Sequence, residues 1–369
     1  MVKIGMLAFI GIGIYGISGL SQKAAAILAG CDLIYVERFT SLISNDDLQN
    51  LTSLLFSSNN KKVISVKRWF VEDGREILQE SKDRNVALLS YGDPMIATTF
   101  MELRLRAIDR SVNVEVVYGA SGVTALISEC GLQIYKIGKI VTMMEDSQSA
   151  ISVYNSVSTD LQLKCHTLIL TEYRSNEDNT IFFLDPRQVI LRLLEVEKDL
   201  RYNIITFDSF IIVASRIGTK DQNILSGKVS SLLEIEYGQG PHSLIFPGKL
   251  HFIEEEGIMK LTETLDSPRD NTVFLDNIAT RMIKKYVPMV HDEINQIRSR
   301  ETSRLDYNKK IVEMLDNAEY YVDDAINFMD QGKNELAVLS IGYADGLVDC
   351  LKYMSLGKIS DKSNLSLNF

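Results

Sequence analysis

The chain has little of what several functional classes require. Its 369 residues include four cysteines, four histidines, six prolines and one tryptophan. Cys31, Cys130, Cys165 and Cys350 are scattered without a C-x-x-C pair. That excludes a disulfide framework and a thiolate zinc site, suits a reducing cytosol, and leaves the cysteines as expected small buried apolar residues. There is no run of Lys and Arg: 39 basic residues face 49 acidic ones, and the net charge is -10. Nucleic acid is therefore not the expected partner, because affinity for a phosphate backbone comes from clustered cations. No stretch reaches the roughly 18 uninterrupted apolar residues of a membrane-spanning helix, so no membrane association is expected and the protein should be soluble. The apolar run over 6–20 superficially resembles a secretory signal, but four glycines interrupt it and would weaken a signal helix. Neither a G-x-S-x-G elbow nor a Walker loop is present, so acyl transfer and P-loop phosphoryl transfer lose their usual supports. His242 and His251 flank an apolar run without the carboxylate spacing of a metal site; both are expected to be satisfied core residues, and no metal is expected.

What is there is a regular alternation. Short apolar runs at 6–10, 33–36, 63–66, 86–90 and 114–118 are separated by helical patterns at 21–29, 77–84 and 98–109. Continuous apolar runs between helices are the signature of a parallel sheet covered on both faces, so residues 1–120 are expected to form an α/β domain. Further runs at 139–143, 167–171, 211–215 and 243–246, with helices at 121–130 and 186–200, predict a second, mixed α/β domain over 121–265. From 266 to 369 the pattern is helical. Apolar residues from Ile311 to Met329 and from Leu336 to Leu351 recur at spacings of three and four, with Gly332 between them. The expectation is an antiparallel helical hairpin.

Four segments could carry chemistry. Gly11, Gly13 and Gly16 form G-x-G-x-x-G after the first strand, and Glu37 ends the next; this is the dinucleotide fingerprint, or simply a tight turn. Residues 90–99, SYGDPMIATT, place Asp93 at the carboxyl edge of the sheet, as a ligand or as a turn or helix cap. Residues 118–123 repeat the design with Ser121, which is equally an N-cap candidate. Residues 238–252 carry His242 and His251.

Taken together, these segments resemble the diphthine synthases, a branch of the tetrapyrrole-methylase-like S-adenosylmethionine-dependent methyltransferases. The resemblance rests on FIGIGIY (9–15), YVERFTSL (35–42), YGDPMIATTFMELRLRA (91–107), YGASGVTAL (118–126), GLQIYKIGK (131–139), HTLILTE (166–172), ASRIG (214–218) and PHSLIFPGKLHFIE (241–254), in the family's order. It implies two α/β domains with S-adenosylmethionine in the cleft between them, contacted by Ile14, Asp93, Ile96, Ser121, Gly122, Thr171, Ile217 and His242. It implies also a cytoplasmic homodimer that methylates the amino group of a 3-amino-3-carboxypropyl histidine on translation elongation factor 2, trimethylating it as archaeal members do. On this resemblance the G-x-G-x-x-G is coincidental, and its loop shapes the cleft.

Two departures stand out. The family commonly has Asp-Glu after the tyrosine of its first loop, where this chain has Gly16 and Ile17. Residues 143–160, expected as a substrate-side loop, are rich in Ser and Asn and lack the family's proline-containing signature. The tail from 266 resembles a small archaeal helical domain of unknown function. The competing readings are a methylase of corrin or porphyrin precursors, a dinucleotide-dependent dehydrogenase resting on the glycine triplet and Glu37, and a catalytically silent cofactor-binding scaffold with a helical interaction module.

Overall fold

The computed structural model describes residues 5–38, 43, 45–55, 62–175, 181–270, 278–302 and 309–360. The chain divides into two compact units, 1–274 and 275–369. In the first, strands β1 (Met6–Gly11), β2 (Leu33–Glu37), β3 (Lys62–Val66), β4 (Asn85–Ser90) and β5 (Asn113–Val117) form an all-parallel sheet of order β3-β2-β4-β1-β5. Residues 39–42 of the quoted resemblance lie outside the described residues.

Side chains alternate across this sheet. Leu7, Phe9, Tyr35, Val86 and Leu88 pack on one face with Phe100, Leu103 and Ala107 of helix α5 (Phe100–Asp109). Ala8, Ile10, Ile34, Val36, Ala87 and Leu89 pack on the other with Ala24 and Leu28 of α1 (Gln22–Gly30) and Leu51 of α2 (Asn45–Leu55). Burial on both faces explains the unbroken apolar runs, each large side chain contributing about 1.5–3 kcal/mol. The helix expected over 77–84 is α4 (Arg75–Glu80), and an unexpected short helix, α3 (Arg68–Asp73), precedes it, the two separated where Gly74 takes φ +59°. A left-handed residue cannot continue a right-handed helix.

This topology has a consequence for ligand binding. The chain leaves β1 toward β2 through α1 and leaves β4 toward β5 through α5, on opposite faces, so the loops after β1 and β4 diverge. Such a switch point leaves a crevice at the carboxyl edge of the sheet.

The second sheet has the order β13-β11-β10-β12-β7-β6. Its strands are β6 (Ile137–Met143), β7 (His166–Thr171), β10 (Phe210–Ser215), β11 (Asn223–Lys228), β12 (His242–Phe246) and β13 (Glu263–Thr264). β6 and β7 are parallel, as are β11 and β13; the other pairs are antiparallel. A separate hairpin, β8 (Tyr173–Ser175) with β9 (Ile181–Phe183), follows β7. One sheet face packs on Leu126 and Ile127 of α6 (Gly122–Glu129) and on Ile258 of α10 (Phe252–Leu261). Helices α7 (Ser147–Gln162) and α8 (Pro186–Leu200) pack together, and α9 (Val229–Leu232) is a single turn after β11.

Helix α7 corrects the loop expected over 143–160. Asp146 caps it by accepting a hydrogen bond from Ser149 N–H at 2.7 Å, and Ala150, Val153, Tyr154, Val157 and Leu161 are buried. The apolar stripe outweighs the weak helix propensity of its serines, threonine and asparagine.

A buried polar cluster ties α10 to the second sheet. Glu254, fully buried, accepts hydrogen bonds from Gln133 N–H at 3.0 Å and His251 N–H at 2.8 Å, pairs with His166 Nε2 at 2.9 Å, and takes Lys136 Nζ as well. Burial alone would raise its pKa; the four partners hold it down at about 2. His251 is an exposed N-cap rather than a core residue, its Nδ1 accepting from Ile253 N–H. Cys31 and Cys130 are buried, but Cys165 is partly exposed and Cys350 exposed, so only two of the four fit the expectation.

Among the described residues the second unit has three helices, α12 (Lys309–Asp330) and α13 (Asn334–Ser360) forming the expected hairpin and α11 (Ile278–Thr302) added to it. Leu315, Ala318, Val322 and Ala325 of α12 meet Ala337, Ile341, Ala344 and Val348 of α13, and Val290 and Ile294 of α11 complete the core. The facing alanines let the antiparallel pair approach closely.

Candidate active site

The site begins where the loops after β1 and β4 touch. Gly13 N–H donates to Gly92 O at 3.1 Å, Gly92 N–H to Gly13 O at 2.9 Å, and Ile12 N–H to Ser90 O at 3.0 Å. A Cβ at Gly11 would lie 2.4 Å from Gly92 O, and one at Gly119 would lie 2.3 Å from the same oxygen. Only glycine permits the ends of β1, β4 and β5 to converge this closely. Above the junction there is room: a Cβ at Gly92 would meet nothing nearer than Ala120 O and Gly122 N, both at 3.9 Å, and one at Gly122 only Ile14 Cγ2 at 3.9 Å. The third glycine of the triplet, Gly16, has φ +59°, and a Cβ there would lie 2.8 Å from Asp47 Oδ1. A carboxylate from α2 thus stands beside the position where the family pattern carries its own acid.

Asp93 is 6% exposed, and its Oδ1 accepts from Met95 N–H at 2.8 Å. It stabilises its own turn and does not cap α5, whose N-cap is Thr99. Ile96 is exposed on the same turn, followed by Ala97 with φ +56°, a left-handed conformation that costs a non-glycine residue about 1 kcal/mol or more. Ser121 caps α6, its Oγ accepting from Val123 N–H at 3.2 Å.

Ile14 joins the two sheets. Its carbonyl accepts from the Tyr91 hydroxyl at 2.5 Å, and that hydroxyl lies 3.5 Å from Ile217 O. Its side chain closes on the loop after β10, where a Cβ at Gly218 would be 2.7 Å from Ile14 Cγ1. Burial first, then the charges of Asp47 and Tyr15, push the Tyr91 hydroxyl up to about 12, so it stays a donor.

The other wall is built from the ends of β7, β10 and β12. Thr171 Oγ1 donates to His242 O at 2.8 Å, and His242 Nδ1 lies 2.8 Å from Ser215 Oγ. Buried to 2% exposure, His242 has its pKa lowered to about 4 by desolvation, with the Arg216 charge adding to the effect. The imidazole is therefore neutral at neutral pH. Arg216, with φ +56°, donates Nη1 to Tyr237 O at 3.1 Å and to Gln239 O, and Nε to Asp221 O at 2.8 Å, pinning the loop that leads into β12.

Ile14, the Gly92–Asp93 turn, Ser121, Gly122 and the Ile217–Gly218 loop thus form one group, and Thr171, Ser215 and His242 a second, joined through the end of β10. Ile96 stands exposed at the rim. Tyr91, Ser215 and Arg216 lie within the resemblance motifs, but nothing local in the sequence gives them a role. Their partners are 77, 27 and 21 residues away, a separation no local pattern reveals.

The profile of the tetrapyrrole (corrin/porphyrin) methylases matches residues 6–233, and the chain belongs to that family. It is therefore a methyltransferase. Within the family its relatives are narrower in kind. The diphthine synthase of Methanosphaera stadtmanae is 29% identical over 260 residues, 70% of this chain and 96% of that one. The diphthine synthase of Methanocaldococcus jannaschii is 29% identical over 263 residues, 70% of this chain and 100% of that one. A crystal structure from Entamoeba histolytica, provisionally assigned as a diphthine synthase, superposes with a TM-score of 0.63 at 28% identity, covering 70% of this chain and 98% of that one. A protein family of unknown function, DUF357, matches residues 285–356, within the helical unit. No helix of the described residues is long and apolar enough to cross a membrane.

Proposed function

We propose that the chain is a diphthine synthase, transferring methyl groups from S-adenosylmethionine to the amino nitrogen of a 3-amino-3-carboxypropyl histidine on translation elongation factor 2. What carries this reading is the match to two diphthine synthases over 96% and 100% of their lengths. The same likeness supports a cytoplasmic homodimer.

S-adenosylmethionine, when bound, supplies a methyl group on a positively charged sulfur that is also a good leaving group. The room above Gly92 and Gly122 and the buried carboxylate of Asp93 suit such a ligand. Asp93 would meet its polar or cationic groups, Ser121 and Gly122 its contacts at the start of α6, and Ile14, Ile96 and Ile217 its apolar surface. Thr171 and His242 would line the opposite side. A neutral His242 adds no positive charge beside a cationic donor, whereas an imidazolium there would repel it.

No nucleophilic residue is required, because the acceptor amine attacks with its own lone pair. The task of the chain is to hold donor and acceptor in line, an effect worth ~7–11 kcal/mol. The amine must lose a proton before each of the three transfers, and a quaternary nitrogen has no lone pair, so the reaction ends at three methyls without a counting device. Incubation with isotopically labelled methyl donor should label elongation factor 2 carrying the 3-amino-3-carboxypropyl group and leave corrin and porphyrin precursors unlabelled. The reverse pattern would replace this reading with that of a tetrapyrrole methylase.

A further inference from the structure

One residue beyond Thr171, at the carboxyl end of β7, the first unit carries a shallow, open, mixed-charge cavity that the donor site does not use. It has a volume of about 360 Å³ and is lined by Met144, Glu145, Asp146, Glu172 and Arg174. Arg174 donates Nη1 to Glu172 Oε1 at 3.2 Å and Nη2 to Glu145 Oε2 at 2.6 Å. The second oxygen of Glu172 accepts Glu145 N–H at 2.7 Å, and the Glu172 side chain is only 10% exposed. The Arg174 guanidinium lies 4.3 Å over the ring of Phe182, a cation–π contact that supports its position. Arg192 holds the rim by donating to Met144 O at 3.0 Å and to Glu145 O. Asp146 is spoken for as the cap of α7. Between the two strands of this region Tyr173 extends to the first sheet, its hydroxyl donating to Arg38 O at 3.4 Å, so the cavity sits beside the gap between the sheets.

We infer that Arg174 and Glu145, backed by Glu172, form the recognition site for a group carrying both an ammonium and a carboxylate, the zwitterionic end of an amino-acid-like substituent on a protein. The inference rests on the proposed function and names the residues that read its acceptor. The physical reason is charge exchange. Arg174 is half-exposed and joined to a half-exposed Glu145, and exposed ion pairs of this kind contribute little. When a zwitterion enters, Arg174 can turn its fork to the incoming carboxylate in the bidentate geometry that guanidinium favours, and Glu145 can take the ammonium. Every charge that loses a partner gains another. Glu172, nearly buried and fixed by a backbone N–H, keeps Arg174 in place during the exchange. Arg192 is committed to backbone oxygens, so Arg174 is the guanidinium left to meet a carboxylate, and the surrounding carboxylates disfavour simple anions.

The test compares the full-length wild type with Arg174→Met, Arg174→Lys and Glu145→Gln in steady-state methylation of elongation factor 2 bearing the 3-amino-3-carboxypropyl histidine. The unmodified factor serves as competitor, and the affinity for S-adenosylmethionine is measured in parallel. Arg174→Met is expected to raise KM for the modified factor about ten- to a hundredfold and to abolish the preference for modified over unmodified factor, with kcat and donor affinity held within about twofold. Arg174→Lys should recover part of the loss, because it keeps the charge without the fork, and Glu145→Gln should raise KM to a smaller extent. An unchanged KM and preserved preference in Arg174→Met would overturn the inference while leaving the functional reading intact. A parallel fall in donor affinity would overturn it too, by marking a general disturbance. A wild type that turns over no modified factor would remove the functional reading and this inference with it.

Discussion

Acid should weaken the first unit through His242, and the size of the effect follows from its surroundings. The imidazole is 2% exposed, and its pKa is lowered from its ordinary 6.5 to about 4 by desolvation and by Arg216. The unfolded chain therefore takes up a proton at His242 between about pH 6.5 and 4 while the folded chain does not. Stability contributed by the neutral ring is present above pH 6.5 and lost as pH falls toward 4. Linkage makes the full effect about 3 kcal/mol, of which about 2 kcal/mol is gone by pH 5. Glu254, held at about 2, is still ionised in both states at pH 5 for the most part, so this window isolates the histidine. His242→Asn keeps a polar atom near the position of Nδ1, 2.8 Å from Ser215 Oγ, and removes the titration. Urea unfolding followed at pH 7 and pH 5 should show the wild type losing about 2 kcal/mol more than His242→Asn across that interval. Equal losses in the two proteins would refute the assignment of a buried neutral imidazole.

Three further outcomes are expected. Asp93→Ala should weaken S-adenosylmethionine binding at least tenfold, by about 1.4 kcal/mol or more, as read by calorimetry; unchanged affinity would remove Asp93 from the site. Glu254→Gln should destabilise the first unit by about 3–5 kcal/mol at pH 7, because Lys136 and His166 lose the carboxylate they share. In the wild type that stabilisation is present above the ordinary glutamate pKa near 4.5 and is lost as pH falls through about 2, so the difference between the two proteins in denaturant melts should narrow in strong acid. Removal of residues 275–369 should leave the first unit folded and binding methyl donor, since the two units are separately compact; a chain that no longer unfolds cooperatively by circular dichroism would contradict this.

Local features of the sequence revealed the parallel sheet because its strands are covered on both faces and so read as unbroken apolar runs. They also revealed the Gly92–Asp93 turn, since glycine and proline mark the end of β4 wherever it falls. Helix α7 was hidden by its serines and asparagine, although Ala150, Val153, Tyr154, Val157 and Leu161 carry the helical period. Helix α11 escaped as a separate element because it contains Pro288, which interrupts the pattern. The Glu254 cluster was illegible for a different reason: His166 and Glu254 are 88 residues apart, and nothing local marks either as a partner of the other. Arg174 carries no local signal, because one arginine in a strand-forming stretch has no meaning until the fold sets it against Glu145 and Glu172.

The most direct measurement is a crystal structure of the full chain with S-adenosylhomocysteine. Density for the ligand is expected over the Gly13–Gly92 junction, touching the Asp93 turn on one side and the Thr171–His242 wall on the other. A ligand bound elsewhere, or a pyrophosphate-bearing nucleotide seated on the glycine turn in its place, would contradict the account.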